Sequence, residues 1–99
     1  MSSITDDIFN KVNSHKGIEA VIISDMEGVP IRSTINDENK DYAYTAAALA
    51  FIKKCKPIIN ELIEEDPVFF RIRTKFNEIM ISYENDFIII VVQNPASNS

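Results

Sequence analysis

Residues 87–92, with the sequence FIIIVV, are the feature that most constrains the fold of this chain. The run is short and rich in β-branched residues, which favours a strand over a helix. Because successive side chains of a strand point to opposite faces of its sheet, both faces of this strand would be apolar. We therefore predict that it lies in the middle of a sheet that is covered on both sides, or nearly so.

The first third of the chain predicts a short helix followed by a hairpin. Residues 3–15 repeat apolar side chains about every four positions, which is typical of an amphipathic helix. Residues 18–24 and 29–34 are predicted strands, and the turn between them ends in a glycine. Pro30 has no backbone N–H with which to donate a hydrogen bond to a neighbouring strand, so the second of these strands should lie at an edge of the sheet.

A long helix and three further strands account for the rest of the chain. The helix is predicted over residues 40–64, with a kink at Pro57, which removes one backbone hydrogen bond. The strands are predicted at residues 68–74, 78–83 and 87–93. Short connections favour antiparallel neighbours, so the order αββαβββ predicts an α+β fold in a single domain, residues 1–99. We expect a five-stranded antiparallel sheet with the short and the long helix on one face.

The residue types present give little support to a catalytic function. The chain has one histidine, His15, one cysteine, Cys55, and two glycines. A nucleophilic site needs a nucleophile held by a base, and a zinc site needs several converging ligands, so neither is expected. Two glycines are too few for a glycine-rich phosphate loop. We therefore expect no enzyme activity, no cofactor and no metal.

Charge and cysteine content bear on partners and compartment. Ten basic and fifteen acidic residues give a net charge of −5, so we expect neither nucleic acid nor a membrane, which are often polyanionic, as a partner. One cysteine cannot form a disulfide within the chain, and the N-terminus lacks the pattern of a signal peptide, which predicts a cytoplasmic protein. The lysines at positions 53, 54 and 56 are a local exception. A solvated helix face explains them most simply, and a docking patch for an acidic partner is the alternative.

The first half of the long helix is apolar almost all round, which predicts a homodimer. A helix that packs on one sheet face needs an apolar arc of only about 100°. A second copy of the helix, packed antiparallel across a two-fold axis, would cover the excess, and the strand at residues 68–74 would pair with its twin. The alternative is that alanine serves here only as a good helix former. The predicted interface residues are Ala47, Ala48, Phe51, Cys55, Ile58, Phe70, Arg71 and Ile72.

Several pieces of the sequence resemble roadblock-family dynein light chains. The most specific are residues 71–73, 77–80 and 91–95, and the hairpin at residues 22–34 is similar to the first two strands of that family. The resemblance covers most of the chain and implies a roadblock/profilin-like sandwich and a homodimer. It also implies binding to the dynein intermediate chain in motor assembly and cargo linkage, a microtubule-associated location, and a paralogous light chain as a further partner. A roadblock-like scaffold or regulator of a small GTPase is the alternative function.

An apolar groove lined by helices would suit an amphipathic partner helix, which presents anchors at positions i, i+3 and i+4. We predict that the intermediate chain offers such a helix. The candidate partner-binding residues are Ile4, Ile8, Phe9 and Val12 of the first helix, and parts of the long helix are expected to line the same groove. The alternative is that these residues simply pack the first helix on its own sheet.

Overall fold

The computed structural model describes residues 3–84 and 86–95 of the 99-residue chain. Within them the elements follow the predicted order: α1 (Ser3–Asn13), β1 (Ile18–Asp25), β2 (Pro30–Ser33), α2 (Glu38–Ile63), β3 (Phe69–Arg73), β4 (Glu78–Glu84) and β5 (Phe87–Gln93). The five described strands form one sheet in the order β2-β1-β5-β4-β3, and every neighbouring pair is antiparallel. The α+β class and the five-stranded antiparallel sheet are therefore confirmed.

The strand that is apolar on both faces, β5, occupies the centre of the sheet. It pairs with β1 on one side and with β4 on the other. Ile88 and Ile90 are buried on one face, and on the other Val91 is buried and Ile89 is half-buried. The predicted central position is confirmed, and so is the edge position of β2, the strand that begins at Pro30.

The two helices cover opposite faces of the sheet, so the prediction that both lie on one face is wrong. Phe9 of α1 packs against Val21 and Ile23, whereas Ile52 of α2 packs in a separate cluster that contains Ile22. Val21, Ile22 and Ile23 are consecutive residues of β1, and their side chains alternate between the two faces of the sheet. The physical reason is that β1 and β5 are apolar on both faces, and a helix on each side removes both faces from water.

The ends of α2 are set by polar contacts of the backbone. Before the helix, the Asp37 carboxylate accepts a hydrogen bond from the Lys40 amide at 3.2 Å, as an N-cap does. After it, Glu64 adopts a left-handed conformation with φ 58°, and its amide donates to the Asn60 carbonyl. The helix continues through Pro57, and the kink expected there stays a prediction.

One stripe of α2 faces the sheet, at Asp41, Thr45, Ala48 and Ile52. Two of these buried residues are polar, and both have hydrogen-bond partners. The Ser33 hydroxyl donates to the Asp41 carboxylate at 2.6 Å, and Thr45 donates to a backbone carbonyl of the β1–β2 turn. The side of α2 that carries this stripe therefore packs in the core, and its other sides are available for contacts outside the core.

Candidate interaction surfaces

The helix α2 covers only part of the sheet face on which it packs. It packs on β5, β1 and β2. Beside α2, an open apolar depression with a volume of about 440 Å³ lies over β3, β4 and part of β5. We call this depression the α2 groove. Its lining residues are Tyr44, Ala47, Ala48, Phe51, Ile72, Thr74, Asn77, Ile79, Ile81, Ile90 and Val92. The groove therefore runs between one side of α2 and the strands β3, β4 and β5.

The structure brings several of the predicted dimer residues to the α2 groove. Ala47, Ala48, Phe51 and Ile72 line it. Phe70 packs edge to face on Phe51, with ring centroids 5.0 Å apart and an interplanar angle of 81°. Of the two alanines, Ala47 is exposed, whereas Ala48 is 4% exposed and belongs to the core of the chain. Ala47 is therefore the alanine that a second copy can reach.

The remaining predicted dimer residues lie outside the α2 groove. Cys55 is half-buried and Ile58 is 52% exposed, one and two turns further along α2 from Phe51. Arg71 points to the opposite face of β3 from its neighbours in the chain, because side chains alternate along a strand. Its Nε lies 3.7 Å from a Glu78 carboxylate oxygen, and its guanidinium lies 5.9 Å from the centroid of the Phe69 ring.

The edge of the sheet beside the α2 groove is open. Within the described residues, β3 pairs only with β4, so its other edge has no strand beside it. The apolar side chains of Val68 and Phe69 at this edge are 53% and 48% exposed. An uncovered apolar edge strand is a template for pairing with another chain.

A second groove lies on the opposite face of the sheet, beside α1. This α1 groove has a volume of about 460 Å³, and it is lined by Ile8, Val12, His15, Ile18, Phe69, Met80, Ser82, Ile89, Val91 and Gln93. Two of the four predicted partner-binding residues, Ile8 and Val12, therefore face an open groove. The expectation that parts of the long helix line the same groove is wrong, because α2 lies on the other face of the sheet. Phe9 is 7% exposed and packs on β1, as the alternative interpretation expected, and Ile4 is 62% exposed outside the groove lining.

An ion pair and a ring contact hold α1 in place, and sequence reasoning missed both. Asp6 of α1 accepts a hydrogen bond from the Arg32 guanidinium of β2. The same guanidinium lies 4.2 Å from the centroid of the Phe9 ring, within the range of a cation–π contact. These contacts position the helix that forms one wall of the α1 groove. Asp6 and Arg32 are 26 positions apart in the sequence, so no local sequence pattern predicts their contact.

A third depression lies under the C-terminal half of α2, and we call it the lysine cleft. Its lining residues are Met26, Leu49, Ile52, Lys53, Lys56, Pro57, Asn60, Asp66 and Tyr83. The Tyr83 hydroxyl donates to the Pro67 carbonyl. Burial, and to a lesser degree the nearby Asp66 carboxylate, raises the pKa of Tyr83 above its ordinary value. Both effects favour the neutral phenol, which is the form that donates the hydrogen bond to Pro67.

Groups that could support catalysis or metal binding are sparse in the described part of the chain. His15 is exposed at the α1 groove, and Cys55 is a half-buried free thiol. Residues 3–84 and 86–95 contain no cluster of three or more histidine, cysteine, aspartate or glutamate side chains that could hold a metal ion. Neither α1 nor α2 combines the length and the hydropathy that crossing a membrane requires.

The fold and its grooves define the class of protein: a three-layer α+β domain with an apolar groove on each face of its sheet. The sequence matches the model of the Roadblock/LC7 domain over residues 4–94, and the chain belongs to this family. Domains of this family are generally non-catalytic adaptors or regulators. The resemblance to the roadblock family is thus confirmed.

The structure is also similar to a solved bacterial protein, the Roadblock/LC7 domain from Streptomyces avermitilis. The TM-score is 0.73, and the match covers 87% of this chain and 73% of that chain. The sequence identity is 9%, so this likeness shows the fold alone.

Proposed function

We propose that the chain is a non-catalytic binding subunit that works as a homodimer. The observation that carries this proposal is the α2 groove, an apolar surface left open beside the helix that should cover it. A second α2 helix, packed antiparallel across a two-fold axis, would fill the groove in each copy with the same residues. Tyr44, Ala47 and Phe51 would form the centre of that contact.

The open edge of β3 supports the same arrangement. Pairing of two β3 strands across the two-fold axis would join the sheets and satisfy backbone groups that otherwise face water. Phe70 and Ile72 lie on the face of β3 that α2 occupies, since Phe70 packs on Phe51 and Ile72 lines the groove. One symmetry axis therefore serves both contacts, the helix pair above the sheet and the strand pair within it.

For this homodimer we propose the role of a dynein light chain that binds the dynein intermediate chain in motor assembly and cargo linkage. A microtubule-associated location in the cytoplasm would follow from that role. The support is the dynein-like sequence of β3, β4 and the end of β5, together with the α1 groove on the face away from the helix pair. Ile8 and Val12 lie four residues apart and so share one side of α1, which suits an amphipathic helix as the partner.

A regulator or scaffold of a small GTPase is the second candidate function. Membership in the Roadblock/LC7 family and the likeness in fold suit it equally. Asn77, one of the family-like residues, also makes hydrogen bonds that support the fold. The Asn77 amide donates to the Gln93 carbonyl at 3.3 Å and to the Glu19 carboxylate at 2.9 Å, which ties β4 to the neighbouring strands.

An affinity pull-down with the immobilised wild-type chain distinguishes the two functions. The extract is divided and loaded with GDP or with a non-hydrolysable GTP analogue, and the retained proteins are identified by mass spectrometry. We expect the dynein intermediate chain in both halves at equal amounts. Retention of a small GTPase in one nucleotide state only, without the intermediate chain, would support the second function and contradict the first.

A further inference from the structure

The lysine cleft combines an apolar floor with a cationic rim. Met26, Leu49 and Ile52 supply apolar side chains, and Tyr83 closes the cleft at the end of β4. Lys53 and Lys56 lie on α2 at its rim, and both are exposed. The volume of the cleft is about 540 Å³, which is enough for several side chains of another protein.

The two lysines keep their charge available. The ion pairs among the described residues join Arg32 to Asp6 and Arg71 to Glu78, and neither involves a lysine. The Lys56 ammonium lies 6.0 Å from the centroid of the Tyr83 ring, at the edge of cation–π range. Asp66 is the one carboxylate among the lining residues, and the Asn60 amide donates to it at 3.1 Å. The rim is therefore cationic on a chain whose net charge is −5.

The lysine cleft and the α2 groove lie on different sides of the same helix. Residues of an α-helix advance by about 100° each, so Lys53 and Lys56 lie roughly half a turn around the axis from Ala47 and Phe51. A homodimer formed through the α2 groove leaves the cleft open to solvent. The α1 groove is on the other face of the sheet, so the cleft is also separate from the partner site proposed there.

We propose that the lysine cleft is a docking site for an acidic amphipathic segment of a partner protein. Its apolar side chains would contact Leu49 and Met26, and its carboxylates would pair with Lys53 and Lys56. Charge complementarity selects this occupant, because an acidic segment is attracted to the rim and a basic one is repelled. An anionic membrane is the less favoured occupant, since it would meet the net negative charge of the whole chain.

Lysines inside and outside the cleft allow a matched test. Lys53→Glu, Lys56→Glu and Lys16→Glu change the charge of the full-length chain equally, but Lys16 is an exposed residue that lines neither the cleft nor either groove. The probe is a short fluorescent peptide with leucines at helical spacing and glutamates elsewhere, measured by fluorescence anisotropy. We expect saturable binding to the wild type and a loss of about tenfold in affinity for Lys53→Glu and for Lys56→Glu. Lys16→Glu should change the affinity by less than about twofold.

Controls separate this proposal from misfolding and from the proposed function. Circular dichroism and sedimentation should show that all three variants keep the wild-type fold and oligomeric state, because the cleft lies away from the α2 groove. The proposal is overturned by an absence of saturable binding, by equal binding of a peptide with lysines in place of the glutamates, or by equal losses in all three variants. Binding to phosphatidylserine vesicles, lost in Lys56→Glu and without peptide binding, would assign the lysines to a membrane and overturn it too.

Discussion

The Thr45 hydroxyl donates a 2.6 Å hydrogen bond to the Gly28 carbonyl, and this buried bond joins α2 to the β1–β2 turn. Thr45 has no exposed surface, and Gly28 is buried with φ 88°. A Cβ atom at Gly28 would lie 3.5 Å from Leu49, so the turn approaches the helix closely. Together with the Ser33–Asp41 hydrogen bond and the packing of Ala48 and Ile52, this bond holds α2 on the sheet between the α2 groove and the lysine cleft.

Replacing Thr45 tests that anchoring bond. Thr45→Ser keeps the hydroxyl and loses one methyl group, whereas Thr45→Ala loses both. The alanine variant should be less stable than the serine variant by about 1–3 kcal/mol, because the Gly28 carbonyl is left buried without its donor. Urea denaturation of both variants measures the difference. Equal free energies of unfolding would mean that the bond adds nothing to the stability of the fold.

The core contribution of β5 is tested by shortening one side chain on each face. Ile90→Ala removes a buried side chain beneath α2 and should cost about 2–5 kcal/mol in free energy of unfolding. Ile89→Ala should cost less, because Ile89 is only half-buried at the α1 groove. Urea melts give both values. A larger loss for Ile89→Ala would show that the α1 face is covered more fully than the single chain indicates.

The partner site at the α1 groove is tested by two isoleucines of the same helix. Ile8→Asp places a charge in the groove and should weaken binding of the intermediate-chain segment by about tenfold or more. Ile4→Asp introduces the same change at an exposed position outside the groove lining and should weaken it much less. Isothermal titration calorimetry gives the affinities, and circular dichroism checks the fold. Unchanged affinity in Ile8→Asp would remove α1 from the site.

Much of the fold was predictable from the sequence because its signals are local. The alternation of apolar residues, the turn at Gly28 and the proline at the start of β2 each depend on a few neighbouring positions. The two apolar faces of β5 also implied cover on both sides of the sheet. The helices were nevertheless assigned to one face, because short connections alone do not say on which side of a sheet a helix returns.

The side of α2 that faces the core was the least predictable feature. Its buried stripe contains Asp41 and Thr45, which sequence patterns assign to the surface. Both are buried because each finds a hydrogen-bond partner that only the folded chain provides, Ser33 for the aspartate and Gly28 for the threonine. The alanines around them are similar in hydropathy, so the pattern could not distinguish Ala47 from Ala48.

The most direct test of the account is the oligomeric state measured by sedimentation equilibrium on three forms of the chain. The wild type should sediment as a dimer at micromolar concentration, and its melting temperature should rise with concentration. Ala47→Glu forces a charge into the α2 groove and should sediment as a monomer, whereas Ala46→Glu, at a neighbouring exposed alanine outside the groove, should remain a dimer. A wild type that sediments as a monomer, with a melting temperature independent of concentration, would contradict the central claim.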